Sequence, residues 1–95
     1  MSKVKLTDYV VEFLQKKGIH DFFGYQGTMI AHLVDSIEKN PHVRSHSSYH
    51  EQGAAFAACG YAQAKNACGC AYATSGPGAA NLLSGVADAY FDSLP

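Results

Sequence analysis

The chain has no tryptophan, and its 95 residues include only three prolines, three cysteines and 16% charged side chains. Charged residues normally make up about a quarter of a soluble domain. Their scarcity here implies that much of the surface is meant to be covered. Three cysteines, an odd number without a secretion signal, argue for reduced thiols over a disulfide framework. Cys68 and Cys70 are expected to share one face of a strand as small buried hydrophobes, because no further cysteine or histidine stands at ligand spacing. No metal-binding residue is therefore assigned. There is no basic run, and seven Lys and Arg against eight Asp and Glu leave a net charge of -1. Nucleic acid is excluded as an expected partner, since nothing could track a phosphate backbone. The first 13 residues are interrupted by Lys5, Asp8 and Glu12 and lack the apolar stretch of a secretory signal, which reads as a cytoplasmic protein. The uncharged stretch from Asn66 to Ala87 is long enough to raise the question of a membrane span. A Ser-Gly-Pro-Gly break at its centre answers against one.

What is present is a regular alternation. Leu6, Val10, Phe13 and Leu14 form the stripe of an amphipathic helix over about 5–17, closed by Gly18. The aromatic run 19–25 reads as a strand, bounded by Gly24 and Gly27. Ile30, Leu33, Val34 and Ile37 return to helical spacing and stop before Asn40-Pro41, and 43–47 reads as a weak strand. Residues 51–65 carry small side chains all round, which predicts a helix packed closely on several sides. Residues 68–74 are uncharged and bounded by turns, as in a central strand buried on both faces. From Ala79 to about Phe91 the pattern is helical again. A helix followed by three strand–helix pairs predicts an α/β fold, an open parallel sheet flanked by helices in a three-layer, Rossmann- or flavodoxin-like arrangement. Three strands would leave that sheet incomplete at its C-terminal end, with an edge and an apolar helix face uncovered. The expectation is therefore the N-terminal piece of something longer, or a domain that lives against a partner.

Two constellations could carry chemistry. Glu51 falls at the start of the small-residue helix, at the carboxyl end of the second strand, where ligands of open α/β sheets bind. The helix dipole favours its ionised form by about 0.3–1 kcal/mol, whereas full burial can raise a carboxyl pKa by about 3–5 units, so burial wins if the side chain is buried. An exposed Glu51 would do no more than complement the helix end. The second constellation, "TSGPGAAN" at 74–81, is a strand, a glycine turn and a helix N-terminus whose N–H groups could face an anion or a polar ring. Gly76 and Gly78 would let a ligand approach the backbone, although the spacing is one residue short of a dinucleotide fingerprint. A turn that simply needs glycine dihedrals reads equally well. His42, His46 and His50 stand four apart, but Pro41 and the serines at 45, 47 and 48 make a shared helix, and hence a metal site, a poor reading.

Taken together, "FGYQG", "YHEQGAAFAACGYAQA" and "ATSGPGAANLLSGVADAYFDSLP" resemble the pyrimidine-binding domain of thiamine-diphosphate-dependent enzymes, closest to the acetolactate synthase-like group. The resemblance covers nearly the whole chain, so residues 1–95 are expected to form one partial domain of that type. It implies that Glu51 hydrogen-bonds N1′ of the cofactor's aminopyrimidine and so promotes loss of the thiazolium C2 proton. A 2-keto acid is then decarboxylated, and a second carbonyl can trap the product. By the same resemblance Ser75, Gly76, Pro77, Gly78 and Asn81 would lie beside the pyrimidine, and Tyr25, Gln26 and Gly27 toward the substrate. The diphosphate and its Mg2+ would be held by a C-terminal domain, usually of a second subunit in a homodimer or tetramer. A flavin (FAD) is possible in the family but not indicated by these residues. Gln26 stands where the family usually has proline, Cys59 where aspartate is frequent, Gln63 where arginine is common and Ala80 where threonine is frequent. A rival reading of a different class is a non-catalytic, Rossmann-like nucleotide- or phosphate-binding module built on the glycine turn.

Overall fold

A computed structural model describes residues 3–95. The elements are α1 (Leu6–Lys16), β1 (Asp21–Gly24), a 3₁₀ turn (Thr28–Ile30), α2 (Ala31–Lys39), β2 (Arg44–Ser47), α3 (Glu51–Lys65), β3 (Ala71–Tyr72) and α4 (Pro77–Phe91). Their order is the predicted one. The strands form one sheet in the order β2-β1-β3, parallel throughout, with Phe23 beside His46 on one side and Ala71 on the other. Successive side chains of β1 point to opposite faces. Phe22 joins Val11, Ile19, Ile37, Val43 and Tyr72 in the core beneath α1 and α2. Phe23 faces the other way and packs on the rings of His46 and Tyr61, the latter from α3. The result is a three-layer α/β sandwich, with α1 and α2 on one side and α3 and α4 on the other.

Three expectations need correction. The strand expected over 68–74 is ordered as strand only at Ala71–Tyr72, and it is the sheet's edge, with β1 at the centre. Hydrophobicity reports burial of a strand's faces and is silent about its lateral neighbours. Helix α3 is buried on one side only, because Gly53, Phe56, Ala57, Gly60 and Ala64 are exposed. Small residues look alike on every face of a helix, so their pattern does not say which face is covered. The thiols differ as well: Cys59 is buried, Cys70 partly buried and Cys68 exposed. Burial pushes the Cys70 thiol up to about 11, which leaves it protonated and inert at neutral pH. Along the edge of β3 an apolar groove of about 210 Å³ runs between α3 and α4, lined by Ala55, Ala58, Ala71, Leu82 and Val86 among others. Leu83, Tyr90 and Phe91 stand exposed on α4, so the uncovered apolar surface expected from the sequence is present. No helix among the described residues is long and apolar enough to cross a membrane.

At the other end of the sheet, Asp21 is 5% exposed and accepts from His46 Nε2 at 2.8 Å and from Arg44 Nε at 3.2 Å. The His46 hydrogen bond, with help from Tyr61 and Arg44, outweighs desolvation and holds the carboxyl below its ordinary value. A carboxyl depressed in the folded state adds stability that is fully present above its unfolded pKa of about 3.9 and disappears as pH falls through the lower, folded value. Asp21→Asn in the full-length protein is expected to cost roughly 1–2 kcal/mol at pH 7. Its stability should also fall less steeply than the parent's between about pH 5 and 3. Urea midpoints across that range measure both effects, and parallel pH profiles would contradict them.

Candidate functional site

The site is assembled at the carboxyl ends of the strands. After β2, the Ser48 N–H donates to the Gly24 carbonyl at 2.9 Å and ties the β2–α3 loop to the end of β1. His50 then takes an extended conformation and caps α3, its Nδ1 accepting from the Gln52 N–H at 3.0 Å. This cap satisfies one of the free N–H groups of the first turn and sets Glu51 as the first helical residue. The side chain of Glu51 lies between α3 and the α4 turn, 8% exposed, with Oε1 accepting from Asn81 Nδ2 at 3.2 Å.

The α4 turn is shaped by its glycines in two different ways. Gly76 has φ +73° and ψ -131°, a conformation that L side chains rarely adopt, and a Cβ on it would meet nothing within 4 Å. Gly78 is constrained by contact instead. A Cβ there would lie 2.8 Å from Thr74 Cγ2 and 3.1 Å from Glu51 Oε2. A Cβ on Gly27 would lie 2.5 Å from Thr74 Cβ. Thr74 therefore packs between Gly27 and Gly78 and joins the β1 loop to the carboxylate. Sequence reasoning gave Thr74 no role; its signal was a β-branched residue followed within four positions by two glycines. The helix begins at Pro77, two residues earlier than predicted, because proline is pre-organised for the first helical position and gives up no needed N–H there.

Glu51 reverses one expectation. Although the side chain is covered, its carboxyl is held below the ordinary value, by its own backbone N–H first, then by Asn81, with His50 adding a smaller share against desolvation. Hydrogen bonds to the charged form win because the two that Glu51 accepts, from its own N–H and from Asn81, each outweigh the desolvation at this site. A carboxylate ionised through the neutral range has an Oε2 lone pair to offer to a ring N–H donor. The same carboxylate counts against a phosphate loop, since it stands beside the α4 N-terminus, where an anion would be repelled.

Of the other residues singled out, Pro77 is exposed at the head of α4, and Tyr25 and Gln26 are exposed beyond β1. Tyr25 and Gln26 share a separate hollow with Ser47, Ser48 and Tyr49. His42, His46 and His50 do not converge. The His42 carbonyl accepts from His20 Nδ1, His46 is bound to Asp21, and His50 caps α3.

Residues 4–95 match the thiamine pyrophosphate enzyme N-terminal TPP binding domain. The chain is 45% identical over 95 residues to the probable acetolactate synthase 2, chloroplastic, of Oryza sativa subsp. japonica, covering 100% of this chain and 14% of that protein. It is 44% identical over 91 residues to the acetolactate synthase 1, chloroplastic, of Zea mays, and 42% identical over 91 residues to the acetolactate synthase, chloroplastic, of Arabidopsis thaliana. Each of these two matches covers 96% of this chain and 14% of the relative. The chain thus spans 14% of the length of the relatives it matches. The cytoplasmic expectation is overturned, because these relatives are chloroplastic proteins. It rested on the absence of a secretory pattern in the first residues, whereas plastid targeting uses a leader of another composition. With a family match that runs over residues 4–95 and relatives aligned across nearly all of it, the chain belongs to the thiamine pyrophosphate enzymes, as their N-terminal TPP binding domain.

Proposed function

We propose that residues 1–95 are one part of a larger thiamine-diphosphate-dependent enzyme that decarboxylates a 2-keto acid and joins the product to a second carbonyl compound, with Glu51 as the acid-base residue that faces the cofactor. The observation that carries this reading is the Glu51 carboxylate at the start of α3, steadied by Asn81 on Oε1, with Gly78 packed so closely against it that a Cβ there would lie 3.1 Å from Oε2. A flat aminopyrimidine, whose ring nitrogen carries a hydrogen in its imino or protonated form, would bring that N–H to the carboxylate, and the Gly27, Thr74 and Gly78 packed beside Glu51 add no charge. When bound, thiamine diphosphate supplies the electron sink for decarboxylation. Glu51 holds or moves a proton at Oε2, Asn81 fixes the carboxylate's rotamer, and the Gly76–Pro77 turn keeps the backbone of α4 out of the ring's way. Among the described residues no three His, Cys, Asp or Glu side chains come together to hold a metal. The reading accordingly assigns Mg2+, the diphosphate and any flavin to parts of the protein outside this chain, or to a second subunit. The relatives named above support the reading of a larger enzyme, since each is an acetolactate synthase of which this chain spans 14%.

The reading is tested by calorimetric titration of the full-length protein with thiamine diphosphate in the presence of Mg2+. The parent is expected to bind. Gly78→Ala should raise the dissociation constant by about tenfold, roughly 1.4 kcal/mol, because its methyl group enters the space between Thr74 and Glu51. Absence of binding in the parent, or equal binding in Gly78→Ala, would contradict the reading.

A further inference from the structure

His50, the residue before Glu51, is engaged at both its backbone and its ring by the first turn of α3. Its backbone is extended, at φ -150° and ψ 141°, and its carbonyl accepts from the Ala54 N–H at 3.1 Å, the first hydrogen bond of the helix. Its Nδ1 accepts from the Gln52 N–H at 3.0 Å. A ring nitrogen that accepts carries no proton, so this cap requires the neutral imidazole with its N–H at Nε2. Serine, threonine, aspartate and asparagine are the side chains that usually cap a helix, and here an imidazole does so one residue before the carboxylate proposed to move a proton.

The donors of that turn show what the cap does for Glu51. N–H groups at the start of a helix have no partner inside it. In α3 the Glu51 N–H is bonded to the Glu51 carboxylate itself, the Gln52 N–H to His50, and Asn81 Nδ2 reaches Oε1 from the α4 side at 3.2 Å. Without the imidazole the Gln52 N–H would become an unfilled donor one residue from the carboxylate. Carboxylates accept strongly from backbone N–H groups at a helix N-terminus, so this donor would compete with Asn81 and draw Oε2 away from Gly78. Occupied by His50, it leaves the carboxylate where Asn81 holds it. All of these contacts lie within the chain.

From this we infer that His50 is a positioning residue for the proton transfer proposed at Glu51, a reading on which this inference rests, and that it acts through Nδ1, by engaging the Gln52 N–H and so fixing the Glu51 carboxylate. Its Nε2 takes no part, and no proton enters or leaves the ring. An imidazole next to an acid-base carboxylate would ordinarily be given a proton-carrying role of its own. The hydrogen bond at Nδ1 assigns it the holding of its neighbour instead.

The test is deuterium uptake at C2 of thiamine diphosphate in the full-length holoenzyme, at full cofactor occupancy, for three substitutions. The amide oxygen of asparagine stands about where Nδ1 does, whereas the amide of glutamine reaches the position of Nε2. His50→Ala should slow the exchange about tenfold, the scale of one lost helix cap. His50→Asn, which restores a strong cap, should recover the rate to within about threefold of the parent, and His50→Gln should stay as slow as His50→Ala. Nitrogen NMR of the parent at neutral pH should show His50 Nδ1 as an unprotonated acceptor and Nε2 as the N–H. Parental exchange in His50→Ala, which is what a cap serving stability alone would give, would overturn the inference. So would rescue by His50→Gln, failure of His50→Asn to recover the rate, or a proton on Nδ1. Glu51→Gln keeps the two readings apart: parental exchange in that variant removes the proposed function itself, whereas slow exchange there beside any of these outcomes removes only the role of His50.

Discussion

Glu51→Gln in the full-length protein is expected to lower 2-keto acid turnover by about 10²- to 10⁴-fold, the range for loss of a positioned acid-base group. Glutamine keeps the length of the side chain and an oxygen for Asn81 Nδ2, so the packing between α3 and α4 should survive. What it loses is the ability to hold a charge or a proton at the atom that faces Gly78. The carboxyl's depressed pKa means that Glu51 is ionised throughout the neutral range, and the substitution therefore removes a full charge. Binding of thiamine diphosphate should change much less than turnover, because one hydrogen bond contributes about 0.5–1.5 kcal/mol net. Steady-state kinetics alongside a binding titration separate the two quantities. A variant with parental turnover would remove Glu51 from the mechanism.

The largest expected loss of stability lies at Gly85, on the inner face of α4. A Cβ at this position would collide with Ala55 Cβ and stand 3.0 Å from the Ala55 carbonyl carbon, so α3 and α4 meet there almost backbone to backbone. Cys59 Sγ donates to the Gly85 carbonyl at 3.5 Å in the same contact. Gly85→Val would force the helices apart along the seam that carries both Glu51 and Asn81. We expect a cost of about 3 kcal/mol or more, at the upper end for overpacking. The Asn81–Glu51 hydrogen bond should lengthen with it, so thiamine diphosphate affinity should fall as the stability does. Thermal unfolding and amide exchange along α3 and α4 measure the effect. Parental protection in both helices would contradict the close packing described here.

The legibility of this chain divides along physical lines. Helices α1 and α2 were readable because their apolar residues recur on one face, and β1 because Phe22 and Phe23 must go to opposite sides of something covered. The parallel alternation follows from the order of elements alone. Lateral position in the sheet was not readable, which is why β3, a two-residue edge, passed for a central strand. The covered face of α3 was hidden for a related reason: alanine and glycine carry no signal that distinguishes one side of a helix from the other. At the candidate site, position and resemblance single out Glu51 and Asn81, 30 residues apart in sequence and hydrogen-bonded in the fold. The direction of the Glu51 pKa was not, since it depends on three hydrogen-bonding and charged neighbours competing with shallow burial. Thr74 escaped notice because its contacts with Gly27 and Gly78 exist only once β1 and β3 lie side by side.

The central claim is that the Glu51 carboxylate, set by the start of α3 and by Asn81, controls proton movement at a bound thiamine diphosphate. It is tested most directly by deuterium uptake at C2 of the cofactor, followed by quenched-flow NMR on the full-length holoenzyme without substrate. The parent is expected to exchange this proton at least 10²-fold faster than Glu51→Gln, with the cofactor bound in both. Equal exchange rates in parent and variant, at full cofactor occupancy, would contradict the account.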